Sequence, residues 1–78
     1  MKITLNNIND IKDFVNECSK YQSTILLKKN KYVVDATSLM GVLSVDTSKR
    51  VDVEIVTDSV SERDKFYNSI SKYEVKYE

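Results

Sequence analysis

The chain contains no histidine, one cysteine (Cys18) and one glycine (Gly41) among its seventy-eight residues, and its acidic and basic side chains cancel. Each absence closes off a class of function. Without histidine there is neither the commonest general base nor the commonest zinc ligand. A lone cysteine cannot form an internal disulfide, which argues against an extracellular scaffold. Balanced charge leaves no electrostatic footprint for nucleic acid or an acidic membrane surface. No apolar run approaches bilayer length and no signal peptide opens the chain. The expectation is a single soluble cytoplasmic domain spanning residues 1–78, with a core adequate for modest stability.

What is present is a set of short periodic segments. KITL (residues 2–5) reads as a short strand. NNINDIKDFVNECSKY reads as an amphipathic helix with Ile11, Phe14, Val15 and Cys18 at helical spacing, Asn9 as its N-cap and Asp10 at the positive helix end. STILLKK and KYVVDAT flank Asn30-Lys31 and read as a hairpin, with asparagine supplying the turn. RVDVEIV alternates cleanly, placing Val51, Val53 and Ile55 on one face of a half-buried strand. SVSERDKFYNSISKY offers Ser59 or Ser61 as caps, each with an acid three residues on, ahead of a stripe of Phe66, Ile70 and Tyr73. EVKYE reads as a tail or short extension. The order β-α-β-β-α-β-α implies an α+β fold: a four-stranded antiparallel sheet with helices on one face, an open-faced β-sandwich.

The stretch ATSLMGVLS (residues 36–44) carries the most information. Ser38 reads as the cap of a short helix. On a helical wheel Leu39, Met40, Val42, Leu43 and Val45 span an arc of about 220°, wider than a single buried stripe requires. Either the helix lies deep and buries nearly all of it, or Leu39, Met40 and Leu43 show on the outside as a partner surface. Gly41 either lets a partner approach closely or relieves crowding against the sheet. Cys18 reads as a small core residue. Asn6, Asn7 and Asn9 are explained by capping and loop chemistry. The tyrosines do not interleave with a basic patch, and no carboxylate pair has a spacing that suggests acid–base catalysis.

With SKYQSTILLKKNKYVVDATSLMGVLSV across residues 19–45, the chain resembles the HPr family, the small phosphocarriers of the bacterial sugar phosphotransferase system. TSLMGVLSV matches the family's Lys-Ser-Ile-Met-Gly-Leu/Val-Met-Ser-Leu helix without a gap, with Thr37 in place of the usual lysine. Two customary glycines of the following loop fall on Asp46 and Arg50. The family's Gly-x-His-Ala-Arg-Pro segment falls on NNINDI, placing Asn7 at the histidine position and Asn9 near the arginine. An asparagine amide cannot accept and pass on a phosphoryl group as an imidazole does. The resemblance therefore implies a relative of the catabolite-repression HPr-like proteins: not an enzyme, without cofactor or metal, and with Ser38 as a regulatory phosphorylation site. It also implies protein partners, an HPr kinase or a transcriptional regulator, contacting Leu39, Met40, Gly41 and Leu43. The alternatives are a phosphocarrier with a non-histidine acceptor and a structural adaptor with no phosphate chemistry. Nucleic acid and membrane are not expected as partners, and the oligomeric state is expected to be a monomer or weak homodimer.

Overall fold

The computed structural model describes residues 1–75. Its elements are β1 (Lys2–Ile3), α1 (Ile8–Cys18), β2 (Thr24–Lys29), β3 (Tyr32–Asp35), α2 (Leu39–Leu43), β4 (Val51–Val56), α3 (Val60–Ser69) and a 3₁₀ turn over Ser71–Tyr73. The strands form one antiparallel sheet in the order β1-β4-β2-β3. This is the α+β arrangement that the alternating strands and striped helices imply.

Period-2 patterning sets the two faces. Ile25 pairs with Ile55 and Leu27 with Val53, and all four are buried. Between them Leu26 faces Glu54 and Lys28 faces Asp52 on the open side, where Lys28 donates to the Glu54 carboxylate. The helices close the inner face: Phe14, Val15 and Cys18 from α1, Val42 from α2 and Phe66 from α3 join the same core. Two edge-to-face aromatic contacts lock it, Tyr21 on Phe66 (centroids 5.2 Å apart) and Phe14 on Tyr73 (6.2 Å). Such pairs add to what burial alone provides.

Several boundaries differ from the sequence reading. The first strand stops at Ile3, although Leu5 is still buried. The cap of α1 is Asn7, not Asn9: Asn7 is extended (φ −151°, ψ 170°) and its side chain accepts from the Asp10 amide at 2.9 Å. Asn9 lies inside the first turn and is exposed. At α3 the cap is Ser59, which accepts from the Glu62 amide at 3.1 Å. That helix ends at Ser69, and the 3₁₀ turn carries Tyr73 into the core. In the hairpin Asn30 alone has a positive φ (55°), so Lys31 is spared the left-handed conformation that a type I′ turn would impose. Of the tail, Glu74 bridges to Ile3 and the Val75 amide donates to the Lys2 carbonyl at 2.9 Å. Residues 76–78 lie outside the described residues.

The α2–β4 loop shows why glycine is dispensable there. Asp46 Oδ1 accepts from the Ser48 amide (3.2 Å) and hydroxyl (2.6 Å), an Asx turn in which no residue takes positive φ. Thr47, the buried polar residue, donates its hydroxyl to the Leu5 carbonyl at 3.2 Å, and its own carbonyl accepts the Leu5 amide at 2.7 Å. These two bonds tie the loop after α2 to the segment that leads into α1.

Phe66 is fully buried against Tyr21 and Tyr67. Truncating it to alanine is expected to cost about 3–5 kcal/mol, the range for large aromatic deletions. Urea unfolding followed by circular dichroism reads this directly; a Phe66→Ala midpoint equal to that of the parent would contradict the assigned core.

Candidate functional site

The site is built from the end of β3 and the five residues of α2. The β3 ladder runs on as the Ala36 amide donates to the Ile25 carbonyl at 2.9 Å, and Ala36 is buried. The chain then turns sharply. Asp35 Oδ1 accepts from the Thr37 amide (2.9 Å) and hydroxyl (2.7 Å), and the Asp35 carbonyl accepts the Ser38 amide at 3.0 Å. This turn delivers Ser38 to the cap position in extended backbone (φ −97°, ψ 110°). Its hydroxyl oxygen accepts from the Gly41 amide at 3.1 Å, satisfying one of the orphan donors of the first turn. At the other end the Ser44 hydroxyl donates to the Gly41 carbonyl at 2.6 Å. A helix this short would not persist in isolation. It survives by its two caps and by Val42, which is driven fully into the core.

Packing divides the apolar arc of α2. Val42 is buried, Val45 is half-buried, and Leu39 is half-buried against Lys12, Val15 and Asn16 of α1 across a small hollow of about 260 Å³. Met40 and Leu43 point away from the core and remain 77% and 43% exposed. The helix therefore does not bury its whole arc. Gly41 is explained by its surroundings: a Cβ there would lie 3.3 Å from the Ser38 hydroxyl oxygen and 3.5 Å from Val34 Cβ. Its bare side faces the cap and the sheet; only the Ser38 hydroxyl would be tight against a side chain there, and Val34 would be in ordinary contact.

The segment itself supplies only acidic charge, while cations reach this surface from elsewhere: Lys12 of α1 lines the hollow at Leu39, and the Lys29 ammonium donates to the Asp46 carbonyl at 2.7 Å. No lysine or arginine occurs between Tyr32 and Ser48, whereas Asp35 and Asp46 do. The Thr37 hydroxyl and amide hold the Asp35 carboxyl below the usual carboxylate range, and Ser48 does the same for Asp46. At the start of α1, Asn7 spends its side-chain oxygen on its cap bond, and Asn9 stands exposed beside it in the first turn. Among the described residues no cluster of carboxylate or thiol groups could hold a metal ion. Cys18 is fully buried, and desolvation, with Glu17 adding to it, pushes its thiol up to about 12.

A wider cleft of about 590 Å³, which the sequence did not announce, lies between the end of α1 and the start of α3, lined by Glu17, Lys20, Tyr21, Ser59, Glu62 and Lys65. Three of its charged groups are already engaged. Lys20 pairs with Glu17 at 3.1 Å, and Glu62 accepts the Ser23 hydroxyl at 2.6 Å. No helix is long and apolar enough to cross a membrane among the described residues.

Two outcomes follow from these environments. Cys18 should resist thiol reagents at pH 8 in the native protein and react once it is unfolded, as a thiol-titration time course would show; rapid native labelling would contradict its burial. The carboxyls of Asp35, Asp46 and Glu62 are all depressed, the last by Ser23 and then Thr57. Depressed carboxyls bind fewer protons folded than unfolded. Their contribution is therefore present above the unfolded values of about 3.9–4.3 and is lost as pH falls through the lower folded values. Unfolding midpoints measured from pH 8 to pH 2 should accordingly fall below about pH 4, and removing the Asp35 carboxylate as Asp35→Asn should shrink that fall. An equal acid response in the variant would contradict the assignment.

Comparison with known proteins agrees with this geometry. The family model described as "PTS HPr component phosphorylation site" matches residues 9–73. HPr-C-His from Thermoanaerobacter tengcongensis is similar in structure, with a TM-score of 0.73 and 25% identity over 92% of this chain and 89% of that one. A phosphocarrier protein HPr from Bacillus anthracis shares the fold at a TM-score of 0.63 and 18% identity, covering 83% of this chain and 86% of that one. No curated protein matches. The family match over residues 9–73, with the open-faced sandwich shared with these structures, makes this chain a member of the PTS-HPr family.

Proposed function

We propose that this chain is an HPr-family protein that binds protein partners through α2 and does not carry phosphate on an imidazole. The observation that carries the reading is the absence of histidine from the chain, joined to a short helix that leaves Met40 and Leu43 outside the core. Members of the family are phosphocarriers that interact with other phosphotransferase-system proteins, and they are not enzymes. At the position that the resemblance gives to the phosphorylated histidine, this chain has Asn7, which works as a helix cap.

Ser38 is the proposed switch. Its hydroxyl is exposed, and its oxygen accepts one hydrogen bond from Gly41. A phosphoryl group there would add about −1.5 to −2 charge at the edge of the Leu39, Met40 and Leu43 surface. Residues 32–48 hold no cation to neutralise that charge, Asp35 stands three residues away in the chain, and the cation that lines the hollow at Leu39 is Lys12 of α1. Phosphorylation would thus change the surface presented to a partner more than it would tighten the fold. An HPr kinase or a transcriptional regulator is the class of partner proposed.

Intact-mass measurement after two parallel incubations tests this. One supplies phosphoenolpyruvate with Enzyme I, the other ATP with an HPr kinase. The expected result is one phosphate, added by the kinase alone and lost in Ser38→Ala. A phosphate added by Enzyme I would overturn the proposal and direct attention to the start of α1 around Asn7. No phosphate from either would leave α2 as a docking surface without a switch, the adaptor reading.

A further inference from the structure

The two edges of the sheet are finished differently. At the β1 edge Glu74 and Val75 lie alongside, with the Val75 amide on the Lys2 carbonyl. At the other edge β3 has β2 on one side and, among the described residues, no strand on the other. The Ala36 amide donates to Ile25 of β2, so by the alternation of an antiparallel ladder Tyr32 and Val34 also turn their backbone toward β2. Val33 and Asp35 turn theirs outward. The side chains at this edge are not the guarded kind: Tyr32 is 69% and Val33 56% exposed. Bare edges of this sort invite pairing unless charge or a bulge blocks them.

We propose that the β3 edge pairs with the β3 edge of a second copy of this chain, antiparallel and centred on Val33. The segment Lys31-Tyr32-Val33-Val34-Asp35 is complementary to itself in that register and in no need of another partner. Val33 meets Val33 at the dyad and the two residues exchange both amide–carbonyl bonds. The Asp35 amide reaches the Lys31 carbonyl of the copy. On the helix-free face each Lys31 ammonium lies opposite an Asp35 carboxylate, twice over. Asp35 spends Oδ1 on Thr37, which leaves Oδ2 for that ammonium. On the inner face Tyr32 comes to rest over half-buried Val34. One patch meeting itself is the isologous contact of a twofold dimer, and the two sheets become one of eight strands. An interface of so few residues is far below the size of a permanent one, so the dimer is weak and concentration-dependent. This inference rests on the sheet edge and is independent of what α2 binds.

Sedimentation velocity over a concentration series from micromolar to millimolar tests it, with circular dichroism confirming that each variant is folded. The parent should shift from monomer to dimer along the series. Val33→Lys, at an exposed position, brings two ammonium groups together at the dyad and should weaken association by on the order of tenfold. Lys31→Glu and Asp35→Lys should each weaken it several-fold, and the two combined should restore it. A parent that stays monomeric at millimolar concentration would overturn the proposal. So would a dimer indifferent to Val33→Lys, or a charge-swapped double variant no better than its singles.

Discussion

Everything in this fold hangs on the register between β2 and β4. With Ile25 opposite Ile55 and Leu27 opposite Val53, one face of the central pair is apolar up to Lys29 at the end of β2, and the other alternates Leu26 and Lys28 with Glu54 and Asp52. A slip of one residue would move every one of those side chains to the wrong face. The remaining elements answer to that face. The first helix lays Phe14, Val15 and Cys18 on it, α3 adds Phe66, and α2 buries only Val42 fully, with Leu39 packed half-buried beside it. That sparing contribution is why α2 has apolar surface left over, and why it is the element with something to offer outside the core.

The three helices begin in one way. Asn7, Ser38 and Ser59 each sit in extended backbone and accept the amide of the third helical residue. For α1 and α3 that third residue is an acid, Asp10 or Glu62, which suits the positive end of a helix. For α2 it is Gly41, pressed against the cap itself. The short helix thus has the weakest electrostatic start of the three and relies on the turn of Asp35 and Thr37 to aim it. Any change in that turn is felt first at Ser38.

Much of this was legible beforehand, for identifiable reasons. The alternation of Val51, Val53 and Ile55 has one period and one meaning, and the structure buries all three. Ser38 directly precedes an apolar run, and of the Thr37-Ser38 pair it is the one next to Leu39, so its cap role was plain. The start of α1 was harder, because Asn6, Asn7 and Asn9 are all good caps, and only the placement of Ile8 inside the helix, exposed as it is, decides for Asn7. Thr47 gave no signal at all: its partner Leu5 lies forty-two residues away in the chain, and pattern reading sees only neighbours. The split of α2 into Val42 within and Met40 and Leu43 without was likewise a matter of tertiary contact, since the wheel showed the arc to be too wide without saying which part of it the sheet would claim. The loop at Asp46 needed no glycine because an Asx turn with Ser48 makes the bend instead.

The unequal edges of the sheet also bear on how this protein behaves when crowded. Strand-by-strand polymerisation, the route to fibrils, needs two open sides on every subunit. Here Glu74 and Val75 lie along one side, the Val75 amide already spent on Lys2. An edge already lined by a stretch of its own chain is a poorer template than a bare one, so strand addition is favoured on the β3 side over the β1 side.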